Sequence, residues 1–376
     1  MKRIWVVLLC CALFSGSPAL AISADTAQSA ILLHADTGQV LYEKDADTPA
    51  LIASTTKVMT ALVVLEHCGL EESVEIRPEY TGIEGSSMYL AAGQSYTVKQ
   101  LLYGLLLVSG NDAAVALACY TAGSTERFAE MMNEKAARLG LENTHFENPH
   151  GLDGQAHYST ARDLAVIMRA AMDNADFADI CGTKAVTVGR LTFVNHNKLL
   201  WRYQGCIGGK TGYTMAAGRS LVTCAERDGM RLICVTLSDP DDWNTHTRLY
   251  DWAFENYCYE SIQPVQSEWQ VPLISGMTDT VKVGCVGPVQ ILKHRESKYS
   301  LHFELPGFVY APIAQGEALG RMSVLVDGAA VGYTELCALE SAPRDNTLKL
   351  TAWERFRMSL CRTNKLGLYY PAFRSV

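Results

Sequence analysis

The chain has 376 residues, 48% of them hydrophobic and 19% charged, the balance of a globular protein long enough for more than one core. Its 40 acidic residues outnumber 32 basic ones, for a net charge of −8, which argues against a nucleic-acid partner. After the first segment no stretch approaches the roughly 20 apolar residues that a membrane-spanning helix needs.

At the start, Lys2 and Arg3 precede an apolar run from Ile4 to Phe14 and the small-residue pattern Ala19-Leu20-Ala21. That is the pattern of an export leader, residues 1–21, cleaved after Ala21. Cleavage leaves 30 basic against 40 acidic residues, a net of −10 for an exported protein. Twelve cysteines suggest a disulfide framework, yet Cys10 and Cys11 leave with the leader and the other ten are scattered without a Cys-x-x-Cys. Cys119, Cys224 and Cys234 lie inside apolar runs and read as buried free thiols, contrary to the usual habit of exported chains.

Two apolar runs around Asp36-Thr37-Gly38 predict a hairpin. The stretch "STTKVMTALVVLEHCG" then predicts a buried helix opening at Ser54 and ending at Gly69. Two helical stretches follow, broken at Ser109-Gly110-Asn111, and two more with N-cap candidates Thr125 and Ser159, so that 54–175 is mostly helical. From about residue 185, short or alternating apolar runs separated by glycine predict an antiparallel sheet, and "NTHTRLYDWAFENY" a closing helix. The whole reads as an α+β domain over 22–262, an antiparallel sheet flanked by helices plus a helical cluster. A small all-β domain follows over 263–341. The remaining 342–376 form a basic amphipathic tail that either lies on a membrane surface or packs back on its own domain.

Ser54 and Lys57 are three residues apart, on one face of a helix opening. Serine needs a base to become a nucleophile; a lysine serves if burial or a neighbouring cation leaves it partly neutral. The plain alternative is that Ser54 caps the helix and Lys57 is solvated. Ser109 and Asn111 interrupt an apolar helical run, as an inter-helix loop or as polar groups facing a cavity. Lys210-Thr211-Gly212 follows Gly208-Gly209 and opens a strand, as a hairpin turn or as an edge facing a ligand, with Gly212 allowing close backbone approach. His145, His150, Asp153 and His157 cluster in "HFENPHGLDGQAH", but in a Pro/Gly-rich loop rather than at metal-ligand spacing, so neither a metal nor another cofactor is expected.

Ser-x-x-Lys, Ser-x-Asn and Lys-Thr-Gly in this order are the three motifs of the active-site-serine penicillin-recognising enzymes. With "EGSSMYLAAGQSYTVKQLLYGLLLVSGNDAAVALA", "NPHGLDGQAHYSTARDLA" and "GGKTGYTMAAGRSLV", the chain over about 28–340 resembles the low-molecular-mass penicillin-binding proteins that are D-alanyl-D-alanine carboxypeptidases. The resemblance implies a penicillin-binding transpeptidase/β-lactamase-like domain, then that family's small β-rich domain. It further implies that Ser54 attacks the bond between the terminal D-alanines of a peptidoglycan stem peptide, with Lys57 as base. Ser109 would relay the proton to the leaving amine, Asn111 would hold a substrate amide, and Lys210 and Thr211 the terminal carboxylate. The N–H groups of Ser54 and Tyr213 would form the oxyanion hole, and β-lactams would acylate Ser54. Such an enzyme works outside the cytoplasm, in the cell wall or on the outer face of the membrane. The carboxylate-gripping arginine of some relatives has no counterpart in "SDPDDWNTHTR"; Arg219 and Arg248 are the substitutes at hand. Against a serine β-lactamase stands the absence of a Glu-x-x-Leu-Asn stretch between 111 and 210; against a non-catalytic peptidoglycan-binding protein, the intactness of all three motifs.

Overall fold

A computed structural model describes residues 22–264, 267–345 and 347, so the leader at 1–21 and nearly all of the tail lie outside the described residues. The chain forms two compact units, meeting between Ala253 and Phe254.

The first unit is built on a five-stranded antiparallel sheet. The hairpin Ser29–His34 and Val40–Lys44 turns at Gly38, whose φ of +74° suits glycine. Three later strands, Cys206–Thr214, Gly218–Arg227 and Met230–Leu237, form a meander. Ser29–His34 inserts beside Met230–Leu237, which leaves Cys206–Thr214 at one edge and Val40–Lys44 at the other. Ser29–His34 is buried at every position, as expected of an interior strand covered on both faces.

Between hairpin and meander run α1 (Lys57–His67), α2 (Val98–Leu107), α3 (Asn111–Ala122), α4 (Thr125–Arg138), α5 (Ala161–Met172), α6 (Ala175–Gly182) and the short α7 (Leu199–Arg202). The first three are apolar almost all round and bury nearly every residue among the other helices. By contrast α4 and α5 are amphipathic, and α5 lays its apolar face on the sheet. On the opposite face α8 (Asp242–Asn256) packs through a buried polar cluster. There Thr223 Oγ1 lies 2.7 Å from His246 Nδ1 and 2.8 Å from the Tyr250 hydroxyl. Full burial holds His246 down at about 3, so it is neutral.

Several local expectations shift. The helix caps are Ser124 and Thr160, whose side chains accept from Arg127 N and Asp163 N, one residue away from Thr125 and Ser159. The helical block is interrupted by a ribbon of Ser73–Glu75 with Ser95–Thr97, strands too short to show a period, and by an extended loop over 139–160. In the second unit the first strand, Tyr257–Ile262, starts ahead of residue 263; it pairs with Val289–His294 and shares that unit's core. The six other strands form one sheet that surrounds Trp269, Val271, Val283, Met322 and Leu336. Glu268–Ile274 alternates strictly between exposed and buried.

Candidate active site

Ser54 does not cap a helix. Ala53 has a φ of +47°, which turns Ala53–Thr56 into a 3-10 turn; α1 begins only at Lys57, and the Ser54 side chain bonds no helix N–H. A non-glycine residue in that region costs about 1–3 kcal/mol and persists only where the surroundings enforce it. Gly151 supplies the enforcement: a β-carbon there would lie 1.9 Å from Ala53 O, so the 148–152 loop presses directly on the strained turn.

Lys57 is fully buried. Its Nζ lies 2.9 Å from Ser54 Oγ and donates to Asn111 Oδ1 at 2.7 Å and to the His150 carbonyl at 2.6 Å. Burial and the nearby charge of Lys210 hold its pKa well below the usual lysine value, with Asp112 pulling the other way. Asp112 is spent on structure: its carboxylate accepts from Ser87 Oγ and from the N–H groups of Met88 and Leu90, pinning the loop before α2. The lysine therefore sits among neutral acceptors.

Ser109 follows α2 with a φ of +64°, and Gly110 N closes back onto Gly104 O. This second strained serine meets the Lys210 amine at 3.0 Å. Lys210 is 1% exposed, also donates to Thr211 O, and burial pushes it down to about 7. Gly212 lets the strand come close: a β-carbon there would lie 3.2 Å from Ser54 N.

An open cavity of about 810 Å³ is lined by Ser54, Ser109, Thr211, Gly212 and Tyr213, with Trp201, Arg219, Asp242 and Trp243 on its walls. Of the eight residues singled out from the sequence, five face this space. Lys57, Asn111 and Lys210 stand behind its wall. Asn111 differs most from expectation: it is 3% exposed, its Oδ1 accepts from Lys57 and its Nδ2 donates to Glu84 O, so both ends of the amide already have partners inside the protein. Its place in this structure is to fix the Lys57 amine.

The histidine cluster has separate duties. His157 bridges Thr56 Oγ1 and the Glu147 N–H, His150 Nδ1 accepts from Leu152 N, His145 Nδ1 lies 2.7 Å from Ala156 O, and Asp153 accepts from Thr214. His150 and His157 are both held at about 4, chiefly by burial. Sequence reasoning missed the His150 carbonyl on Lys57. The visible signal was Asn148-Pro149-His150-Gly151, whose Asn148 Oδ1 accepts from the N–H groups of His150 and Gly151 and so shapes the turn.

A serine, a buried amine freed of its proton, and a second serine–amine pair around one cavity are an acyl-transfer arrangement. Comparison with known proteins agrees. Residues 17–241 match the D-alanyl-D-alanine carboxypeptidase family, and 259–344 match the penicillin-binding protein 5 C-terminal domain. The chain belongs to the D-alanyl-D-alanine carboxypeptidase family. Within that family it is 32% identical over 334 residues to the D-alanyl-D-alanine carboxypeptidase DacF of Bacillus subtilis, covering 84% of this chain and 86% of that one. It is 43% identical over 240 residues to DacB2 of Mycobacterium tuberculosis, covering 61% and 82%. Among solved structures, penicillin binding protein 5 from Haemophilus influenzae superposes with a TM-score of 0.73 at 30% identity, over 85% of this chain and 98% of that one. The fold is therefore that of this family, a mixed α/β catalytic domain and a β-rich C-terminal domain.

The nine cysteines among the described residues are all free thiols. Cys181 receives the Gly209 N–H at 3.0 Å beside Lys210, and burial pushes it up to about 12, which leaves it an inert packing group.

Proposed function

We propose that the protein is a serine-type D-alanyl-D-alanine carboxypeptidase that removes the terminal D-alanine from peptidoglycan stem peptides through an acyl-enzyme on Ser54. The observation that carries the reading is the buried Lys57 amine, 2.9 Å from Ser54 Oγ and held below the usual lysine pKa. Neutral Lys57 takes the Ser54 proton as Oγ attacks the carbonyl carbon. The resulting oxyanion is received by the N–H groups of Ser54 and Tyr213, which the close approach of Gly212 to the Ser54 turn brings together. When the C–N bond breaks, Ser109 and Lys210 pass a proton to the leaving amine. Water then hydrolyses the ester, and Lys57 again handles the proton. Lys210 and Thr211 attract the terminal carboxylate.

A β-lactam presents the same acyl group and carboxylate, so it acylates Ser54. The export leader read at 1–21 places the enzyme where its substrate is, outside the cytoplasm. The test is labelling with a fluorescent penicillin followed by mapping of the modified residue: wild type carries label on Ser54, and Ser54→Ala carries none. Unlabelled wild type, or label that persists in Ser54→Ala, refutes the assignment. A serine β-lactamase needs a base for fast deacylation; the carboxylate among the cavity-lining residues is Asp242, and it is committed to Arg219.

A further inference from the structure

The cavity wall also holds a guanidinium that the reaction outlined above does not use. Arg219 opens the strand Gly218–Arg227 and stands directly across from Tyr213, while Thr211 pairs with Leu221. Thr211, Tyr213 and Arg219 thus share one face of the sheet, and Arg219 is the diagonal neighbour of Thr211 on that face. It is the face covered by α8, since Thr223, on the same side of the same strand, meets His246 and Tyr250.

The guanidinium is clamped on one side only. Nη2 donates to both carboxylate oxygens of Asp242, at 2.7 and 2.9 Å, and the plane lies over Trp243 with 5.5 Å from its carbon to the ring centroid. Asp242 itself is fixed at the first turn of α8, its side chain accepting from Trp243 N, and is 2% exposed. The other donors of Arg219 bond nothing among the described residues, and Nε is buried without a partner. The side chain is still 40% exposed and lines the cavity with Ser54 and Thr211. A planar fork with unused donors, immobilised on a rigid strand against an indole, is arranged to receive a planar anion. Arg248 is not so placed: it pairs with Asp241 and Thr245 and does not line the cavity.

We propose that Arg219, held by Asp242 and Trp243, receives the terminal carboxylate of the acyl donor together with Thr211, and sets the enzyme's preference for donors that end in a free carboxylate. This rests on the reading of the site as a penicillin-sensitive serine peptidase. The experiment compares acylation of the full-length protein by benzylpenicillin and by its methyl ester, which lacks the charge, with the Ser54 adduct followed by mass spectrometry. Wild type favours the free acid. In Arg219→Leu the free-acid rate falls about 10- to 100-fold, the range of a lost charge-assisted hydrogen-bond pair, while the ester rate stays the same. Arg219→Lys recovers only part of the preference, because a point charge cannot reproduce the fork. Arg248→Leu keeps the wild-type ratio. Equal slowing of both compounds in Arg219→Leu assigns the residue a structural role and overturns the proposal, as does an unchanged ratio. Absence of any Ser54 adduct in wild type removes the serine-peptidase reading itself, and this inference with it.

Discussion

Each of the two units buries a lysine amine, to opposite ends. In the second unit Lys293 donates to the carbonyls of His294, Arg295 and Ser297 and sits 3.3 Å from the Glu260 carboxylate. Its charge is matched, and the ammonium ties a turn to a strand. In the first unit Lys57 and Lys210 meet only hydroxyl, amide and carbonyl oxygens, and each feels or exerts positive charge instead of finding a counterion. A buried amine with a carboxylate holds structure together; without one it gives up its proton and becomes a base.

The largest effect that separates the two kinds is on rate. Lys57→Met removes the group that takes the Ser54 proton, so D-alanine release from a pentapeptide should fall about 10²- to 10⁴-fold, the usual worth of a general base. Lys293→Met should release D-alanine at the wild-type rate. Comparable rates for Lys57→Met and wild type would take Lys57 out of the mechanism, and a large loss in Lys293→Met would break the contrast between the units.

Lys293→Met should instead cost stability. Three carbonyls lose their donor and Glu260 its partner, for a total of about 2–4 kcal/mol, limited because Glu260 is partly exposed and can hydrate. Denaturant unfolding of the second unit measures it. An unchanged midpoint would mean that the turn stands without the ammonium.

How far these roles could be read from residues alone depends on how locally they are encoded. The hairpin at Gly38 and helices such as α5 follow from turn chemistry and period, whereas the ribbon Ser73–Glu75 with Ser95–Thr97 is too short to show either. Ser54, Lys57, Ser109, Lys210 and Thr211 stand out because each lies in a compact motif with its own local turn or strand. The strain at Ala53 and Ser109 was not visible, because neither residue type announces a positive φ and the enforcing group, Gly151, comes from a distant loop. The Arg219–Asp242 pair joins positions 23 residues apart through strand register, and the His150 contact is made by a backbone carbonyl; neither leaves a trace in side-chain spacing. Asn111 was found but given the wrong neighbour: its amide turns inward to Lys57 and Glu84 because Gly85, at a φ of +91°, lets the loop pack against it.

The smallest effect is the most diagnostic of a base without a counterion. Lys210 titrates near 7 in the folded protein and near 10.5 as an ordinary lysine. Between those values the unfolded chain binds more protons than the folded one, so stability rises with pH across that window and the penalty for holding the charge is complete below it. That penalty is on the order of 5 kcal/mol. Lys210→Met removes it but leaves Ser109 Oγ and Thr211 O without a donor, at roughly 1 kcal/mol or more each. The variant should therefore be inactive yet more stable than wild type by about 2 kcal/mol at pH 6. The gain should shrink steadily toward pH 10, because the wild-type amine is by then neutral and the penalty gone. Thermal unfolding at a series of pH values decides the matter: a gain that is flat with pH would show that Lys210 keeps its proton in the fold, and a loss at pH 6 would make it a structural cation of the same kind as Lys293.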